Sequence, residues 1–363
     1  MKITMLSLNR TFGGTESHVL NLMRGLQEQG HECHFLTPQA DKLPGREGVL
    51  ESLLPLDLGS TLRCARQIRH ACEKNCDLFH VHGWDALPVA SPILSDLSVP
   101  LVCTFHSVFK PETLVIREAL VETGQLIQPL LAKTRKIIAI SDAIKASLVK
   151  LGTAPDRIET IYNGTAAISH SARKNSIPVN SIPVIGYLGR LHVEKGPDLL
   201  LEAIARLRSR ASSLKFRVEI VGEGPLEQEL RLQSHSLGLD SCCTFKGFSS
   251  KPHEELSGFD VLVLPSRDEG MGLAILEAMS CGVPVIASRT GGIVEAVEPE
   301  RNGLLFPSGD AEALAHSLER LLLDPALSER LAYMGRQKWE AAFRLDLFIR
   351  KHLHLYESII HSC

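Results

Sequence analysis

The chain has 363 residues, a length that suits two hydrophobic cores better than one. Its formal net charge of −3 at pH 7 gives no reason to expect a nucleic-acid partner. Hydrophobic residues make up 44% of the chain, an ordinary share for a globular protein, and no apolar run approaches the ~20 residues of a membrane span.

The N-terminus and the cysteines indicate a reducing compartment. Met1 leads directly into a predicted strand, without the charged and apolar regions of a secretory signal. The nine cysteines are an odd number, and several fall inside predicted strands or helices, so we interpret them as free thiols. Cys72 and Cys76 have the spacing of one helix face, but no second His or Cys pair completes a zinc site. We therefore predict no metal and no cofactor, and we expect a cytoplasmic protein.

Short strands rich in Val, Ile and Leu alternate with helices along the chain, which predicts the α/β class with parallel sheets. A first series of strands is predicted at residues 3–8, 32–37, 78–81, 101–105, 136–140 and 158–161. A second series is predicted at residues 184–188, 216–221, 243–246, 261–264, 284–288 and 304–306. Residues 166–183 are polar and lack apolar periodicity, so we predict a linker between domains at 1–165 and 184–343. Ligands of such sheets bind at the carboxyl ends of the strands.

The first strand–helix turn contains two glycines. Gly13 and Gly14 follow the strand at 3–8 and open a helix predicted over residues 15–29. Glycines at a helix N-terminus let the backbone approach a bulky anion closely. Gly14 is therefore a candidate binding residue.

The loop between residues 186 and 196 carries two cations, Arg190 and Lys195, between a strand and a helix predicted over 198–207. Arginine offers a planar fork of donors to phosphate oxygens, and lysine offers a compact point charge. A pair of ordinary surface charges is the alternative, but the glycines on both sides favour phosphate binding. Gly222 follows the next strand in a Gly-x-Gly pattern, which is weak support for a nucleotide nearby.

The most informative stretch is Ser-Arg-Asp-Glu-Gly-Met-Gly-Leu-Ala-Ile-Leu-Glu, residues 266–277, between a strand and an apolar helix. A glycine turn at a helix N-terminus leaves backbone N–H groups and a positive dipole end for an anion, and its candidate residues are Gly270, Met271, Gly272 and Leu273. Glu269 and Glu277 flank this turn. A sugar nucleotide has the same order of parts, with hydroxyl-rich groups on both sides of a diphosphate. The alternative is an ordinary turn with one solvated and one capping acid.

These three strand–turn–helix elements, in this order, resemble family 4 of the retaining glycosyltransferases over nearly the whole chain. The resemblance implies the GT-B fold, with two doubly wound, parallel-sheet (Rossmann-like) domains facing a cleft. It also implies that a C-terminal helix at 344–363 crosses back to the first domain. The expected partners are a nucleotide-sugar donor as co-substrate and a glycan or lipid-linked acceptor. In this family the motif usually carries Phe where this chain has Met271.

The resemblance also implies roles for site residues. Arg190 and Lys195 stabilise the leaving phosphate, Glu269 contacts the donor sugar, and Glu277 accepts hydrogen bonds from the ribose. His106, which ends a predicted strand, resembles the family's active-site histidine, although a lone histidine at the end of a strand more often has a structural role. His80 and His82 end the neighbouring strand, and for them a packed or solvated pair is an equal alternative to a position beside the acceptor.

A basic helix in the first domain has two interpretations. Its basic residues, Arg63, Arg66, Arg69, His70 and Lys74, fall mostly on one side. Family members that act on lipid-linked acceptors often touch the membrane through such a surface. This protein would then be a peripheral protein on the inner face of a membrane. A solvated helix face explains the same charges.

Two other functions keep the same fold. The sugar-nucleotide 2-epimerases also pair two such domains, and a non-catalytic sugar-nucleotide binder needs only the binding residues. The glutamate spacing and the Arg190–Lys195 loop favour transfer. A nicotinamide oxidoreductase is poorly supported, since the first strand–helix turn of each predicted domain lacks the Gly-x-Gly-x-x-Gly pattern.

Overall fold

The computed structural model describes residues 1–9, 12–41, 43, 49–57, 61–73, 76–94, 99–108, 127–167 and 182–361. The chain divides into two compact units. The first comprises Met1–Gly164 together with Leu345–Cys363, and the second comprises Thr165–Arg344. Most of the predicted linker, residues 168–181, lies outside the described residues.

A seven-stranded parallel sheet is the centre of the first unit. Its strands are β1 (Lys2–Ser7), β2 (Glu32–Thr37), β3 (Leu53–Pro55), β4 (Leu78–His82), β5 (Leu101–Phe105), β6 (Lys136–Ala139) and β7 (Ile158–Thr160). Their spatial order is β3-β2-β1-β4-β5-β6-β7, so the carboxyl ends of β1, β4 and β5 are neighbours. The predicted strands of this series are confirmed, and β3 is an addition of three residues, too short to show a pattern.

The helices of the first unit are α1 (Gly14–Glu28), α2 (Thr61–Glu73), α3 (Ala86–Leu94), α4 (Ile127–Ala132), α5 (Asp142–Lys150) and the C-terminal helix (Leu345–Ile360). The C-terminal helix packs on α1, and Phe348 and Ile349 share one buried core with Leu22. The fit is close at Gly25 of α1, where an added Cβ would lie 2.4 Å from Ile349 Cγ1. A larger residue at this position would push the two helices apart.

The second unit contains a six-stranded parallel sheet. Its strands are β8 (Val184–Leu188), β9 (Arg217–Val221), β10 (Cys243–Gly247), β11 (Val261–Leu264), β12 (Val285–Arg289) and β13 (Leu304–Pro307). The order is β10-β9-β8-β11-β12-β13. Because β8 and β11 are neighbours and parallel, the loops that follow them leave the sheet side by side.

The helices of the second unit are α6 (Pro197–Arg210), α7 (Glu227–Ser236), α8 (Pro252–Ser257), α9 (Leu273–Ser280), α10 (Ile293–Ala296), α11 (Ala311–Leu323) and α12 (Pro325–Ala342). The apolar faces of α6 and α11 cover the sheet, with Leu200, Ile204 and Leu318 fully buried against Val218. The predicted α/β class with two doubly wound parallel sheets is therefore confirmed. None of the helices in the described ranges combines the length and apolar character needed to cross a membrane.

Candidate active site

The loop after β8 and the turn after β11 meet through a charged pair. Lys195 Nζ lies 2.6 Å from Glu269 Oε2, and the two side chains are only 20% and 11% exposed. Ser266 Oγ donates to the same carboxylate oxygen over 3.3 Å. An ammonium group has three donors, and Glu269 keeps its second oxygen for another donor. The remaining ammonium donors of Lys195 and the second carboxylate oxygen of Glu269 can therefore bind a ligand while the ion pair stays intact.

Glycines let these loops approach one another. Gly196, between Lys195 and α6, has φ +63°, and a Cβ there would lie 2.1 Å from the Pro265 carbonyl oxygen. Gly222 has φ +137°, and a Cβ there would lie 1.9 Å from the Gly189 carbonyl oxygen. Both positions thus exclude a side chain, because positive φ and contact with backbone each disfavour one. Packing against Gly189 therefore requires glycine at position 222, whether or not a nucleotide lies against it.

The N-terminus of α9 presents free donors. Gly272 precedes the helix with φ +77°. The backbone N–H groups of Met271, Gly272 and Leu273 donate to no protein acceptor in the part of the chain that the structure describes. Together with the helix dipole, they form the kind of N-terminus that binds phosphate. The Met271 side chain is fully buried, so only its backbone is available to a ligand.

Glu277 lies one turn into α9 and is partly buried. Burial raises the pKa of its carboxyl to about 7. No hydrogen bond to this carboxylate is found within the described ranges, so both oxygens can accept from a ligand hydroxyl. A buried carboxylate without such partners is costly, which favours a polar ligand here.

Arg190 is exposed on the loop after β8, and its carbonyl oxygen accepts a 2.8 Å hydrogen bond from Tyr187 Oη. Among the described residues, no carboxylate lies within ion-pairing distance of its guanidinium. The backbone of this residue is thus held by a buried tyrosine while the side chain is available for an anion.

Arg267 lies two residues before Glu269, and no sequence pattern indicates a role for it. Its guanidinium donates to both carboxylate oxygens of Asp198 over 2.8 and 2.6 Å, and to the Val193 carbonyl oxygen over 2.9 Å. Burial raises the pKa of the Asp198 carboxyl, but hydrogen bonds and charge from Arg267 outweigh it, and the net pKa is lowered. Arg267 thus bridges the two loops that carry Lys195 and Glu269.

In the first unit, the partly buried His106 belongs to a group with four buried histidines, which we call the histidine cluster. Its members are His18 of α1, His80 and His82 of β4, His106 after β5, and His352 of the C-terminal helix. Burial lowers the pKa of every member, to about 4 for His18 and about 3 for His352. All five imidazoles are therefore neutral at pH 7.

Hydrogen bonds fix several of these rings. His80 is buried between the Tyr356 hydroxyl at 2.6 Å and the Thr104 hydroxyl at 2.7 Å, so of the two alternatives for this residue the packed one is correct. His82 Nδ1 lies 3.3 Å from His106 Nε2. His106 is the least buried of the five, which leaves it accessible at the carboxyl end of β5.

His18 was missed, although it lies one turn after Gly14. Its Nδ1 is 2.8 Å from Asn163 Oδ1, and a carbonyl oxygen only accepts, so Nδ1 carries the proton. His18 Nε2 is consequently an acceptor, and it is buried without a protein partner within the described ranges. One ring nitrogen each from His18, His82 and His106 lie within 4.8 Å of one another, a grouping able to hold a metal ion. Sequence spacing could not show this group because its members come from three elements.

Gly14 is the first residue of α1 and is exposed. Behind it, Glu16 is buried and accepts hydrogen bonds from Asn9 Nδ2 at 2.7 Å and Ser7 Oγ at 3.1 Å. Burial raises the pKa of the Glu16 carboxyl, although these hydrogen bonds act against it. The turn is thereby tied to the end of β1.

Known sequences identify the family. Residues 12–166 match the model described as Glycosyltransferase Family 4, and residues 170–338 match Glycosyl transferases group 1. The D-inositol 3-phosphate glycosyltransferase of Corynebacterium jeikeium is 30% identical over 410 residues, covering 94% of each chain. The chain belongs to glycosyltransferase family 4.

Solved structures agree with the fold of this glycosyltransferase. Anabaena Alr3699/HepE, in complex with UDP and glucose, superposes with a TM-score of 0.84 at 22% identity, covering 99% of this chain and all of the other. Sucrose-phosphate synthase from Thermosynechococcus elongatus superposes with a TM-score of 0.80 at 23% identity and full coverage of both chains. The GT-B fold predicted for this glycosyltransferase is thus confirmed.

Proposed function

We propose that this glycosyltransferase moves a sugar, with retention of anomeric configuration, from a nucleotide-diphosphate sugar to a hydroxyl acceptor such as a glycan or glycolipid. The supporting observation is the Lys195–Glu269 pair beside the free N-terminus of α9. A cation, a carboxylate and unpaired N–H groups adjoin there, and a sugar diphosphate needs all three.

Transfer breaks the bond between the anomeric carbon and the phosphate oxygen, and the electron pair stays on the phosphate. Preorganised cations and N–H groups stabilise that growing charge, a contribution that often dominates catalysis. We assign this work to Arg190, to the Lys195 donors that Glu269 leaves free, and to the backbone from Gly270 to Leu273. The acceptor hydroxyl forms the new bond to the anomeric carbon and gives its proton to the departing phosphate oxygen.

Glu269 binds hydroxyls of the donor sugar through the oxygen that Lys195 does not occupy. We assign it no covalent role, and retention by front-side attack within a tight ion pair requires none. Glu277 accepts hydrogen bonds from the ribose hydroxyls. Gly222 brings the backbone near the nucleotide, and we also assign donor contacts to Gly14 and His106.

HepE was solved with UDP and glucose, so UDP-sugars are the first donors to test. Inositol 3-phosphate is the first acceptor, since the Corynebacterium jeikeium relative is named for it. Donors should be incubated with and without acceptor while nucleoside diphosphate release is measured, and the anomeric coupling of the product determined by NMR. Acceptor-dependent release with the donor's configuration kept supports the proposal.

The same experiment separates the alternatives. An inverted product would contradict retention. A donor changed only at C2, without acceptor, would indicate an epimerase. Tight donor binding with no turnover across a broad acceptor panel would favour a binding protein.

A further inference from the structure

Arg267 connects the two loops of the second unit at several points. Its backbone N–H donates to the Glu194 carbonyl oxygen over 2.8 Å, and the N–H of Asp268 reaches the same oxygen over 3.3 Å. Its guanidinium holds the Val193 carbonyl oxygen and the Asp198 carboxylate. These contacts are made to residues that precede and follow Lys195 in the chain, so they hold the backbone on both sides of it.

The guanidinium is committed to these protein groups. Two of its nitrogens form the planar fork with Asp198, and one of them also serves Val193. This arrangement directs Arg267 toward the loop and helix α6 and gives it no direct part in ligand binding. Lysine could not reproduce the fork, because one ammonium group does not match the two carboxylate oxygens in a fixed plane.

Stability of the fold does not explain the bridge. The side chains of Arg267 and Asp198 are 37% and 32% exposed, and ion pairs with that degree of exposure contribute little to stability. The contacts fix the position of the Lys195 loop, which contains a single 3-10 turn at Val193–Lys195 and turns sharply at Gly196. A rigid support for a charged group matters in the reaction, because a small displacement of that group lowers the reaction rate.

We propose that Arg267, with Asp198, is a positioning residue that holds Lys195 Nζ where it meets the leaving phosphate. The proposal rests on the proposed function for the role of Lys195, but the bridge itself can be tested without activity. The variant for the test is Arg267→Met, which keeps the length and apolar stem of the side chain and removes the fork. Arg267→Lys and Asp198→Asn are milder variants that weaken the bridge without removing both partners.

A matched control is available in the same unit. Arg320 forms an equivalent fork with Glu300 over 2.7 and 2.6 Å, with side chains 44% and 54% exposed. Arg320→Met removes a pair of the same kind between α11 and the turn before β13, outside both loops. We expect this control to leave kcat and KM unchanged.

Steady-state kinetics give the first test. We expect Arg267→Met to lower kcat by about 10-fold or more with a smaller change in donor KM, because a shift of about 1 Å can cost about 100-fold. Arg267→Lys should recover part of the loss, and the melting temperature should match that of Arg320→Met. Normal kcat in Arg267→Met, or an equal loss in Arg320→Met, would overturn the proposal.

A double-mutant cycle shows whether the effect passes through Lys195. If it does, Arg267→Met should cost little or nothing in a Lys195→Met background, since the group that it positions is absent. If the fold-loss in kcat of the double mutant equals the product of the two single-mutant losses, Arg267 acts independently of Lys195 and the proposal is wrong.

Amide hydrogen exchange separates this proposal from the proposed function. Arg267→Met should speed exchange in a peptide covering residues 190–198, and Arg320→Met should not. If wild type transferred no sugar but this difference appeared, the proposed function would fail and the bridge would stand. Unchanged exchange would overturn the bridge even in an active enzyme.

Discussion

Lys195 Nζ donates to Glu269 Oε2 over 2.6 Å, although the two residues are 74 positions apart in the chain. One residue follows β8 and the other follows β11, and these strands are neighbours in the sheet. The pair joins the residue assigned to the phosphate with the residue assigned to the sugar. Substituting either one therefore affects the other, which shapes the predictions for this site.

The two glutamates should have separable effects. Glu277→Gln should weaken binding of free nucleoside diphosphate by about 10-fold or more, because hydrogen bonds to a charged group contribute about 1.5–3 kcal/mol. Glu269→Gln should change that affinity much less while lowering turnover strongly, because its proposed ligand is the sugar. Calorimetry with UDP, paired with initial rates, measures both effects. Equal losses of UDP affinity in the two variants would refute this assignment.

The affinity for UDP should depend on pH through Glu277. Burial raises the pKa of this carboxyl to about 7, and the ribose hydroxyls require the ionised form as acceptor. The fraction ionised rises about 10-fold between pH 6 and pH 8, and affinity should follow that fraction.

The Glu277→Gln variant is the control, because it retains any contribution from ionisation of UDP itself. Affinity measured across this range should rise more steeply in wild type than in the variant. Parallel curves would show that Glu277 does not bind as a carboxylate.

The histidine cluster should make the protein sensitive to acid. Burial holds the pKa of each member below its ordinary value of about 6.5, so below pH 6.5 the unfolded chain binds more protons than the folded one. Stability should therefore fall as the pH drops below 6.5, continuing to about pH 4 for His18 and about pH 3 for His352. Between its folded-state and unfolded-state pKa values, each histidine lowers the free energy of unfolding by up to about 1.4 kcal/mol for each pH unit of acidification.

Replacing His352 tests this dependence. His352→Leu removes one buried imidazole and its unpartnered Nε2, so the free energy of unfolding should fall less steeply with decreasing pH. Replacing the exposed His316 by Gln is the matched control for the loss of one histidine. Urea unfolding at several pH values gives the slopes, and identical slopes in His352→Leu and wild type would contradict the account.

We predict that transfer needs no divalent metal, because we assign stabilisation of the leaving phosphate to Arg190, Lys195 and the N-terminus of α9. EDTA should leave the rate of metal-cleared enzyme unchanged. The His18, His82 and His106 grouping makes metal analysis of the purified protein a useful companion measurement. Loss of activity on chelation, restored by magnesium or manganese, would show that a cation shares the charge on the diphosphate.

The sequence predicted the elements better than their contacts. Apolar runs such as Val261–Leu264 and the glycine turns after them depend on local chemistry, and both strand series were predictable. The contact of Lys195 with Glu269 depends on β11 joining the sheet next to β8 after two intervening strands, which no local pattern encodes. The same holds for His18 and Asn163, 145 residues apart, and for the two contacts by which Arg267 reaches Asp198 and Val193.

Single-turnover transfer rates at saturating donor test most directly whether Arg190 and Lys195 stabilise the leaving phosphate. Each should fall by about 100-fold in Arg190→Met and Lys195→Met, since losing one such donor typically costs about 3 kcal/mol. The circular dichroism spectrum should stay that of wild type, which shows that the fold is intact. Near-normal single-turnover rates in both variants would contradict the account.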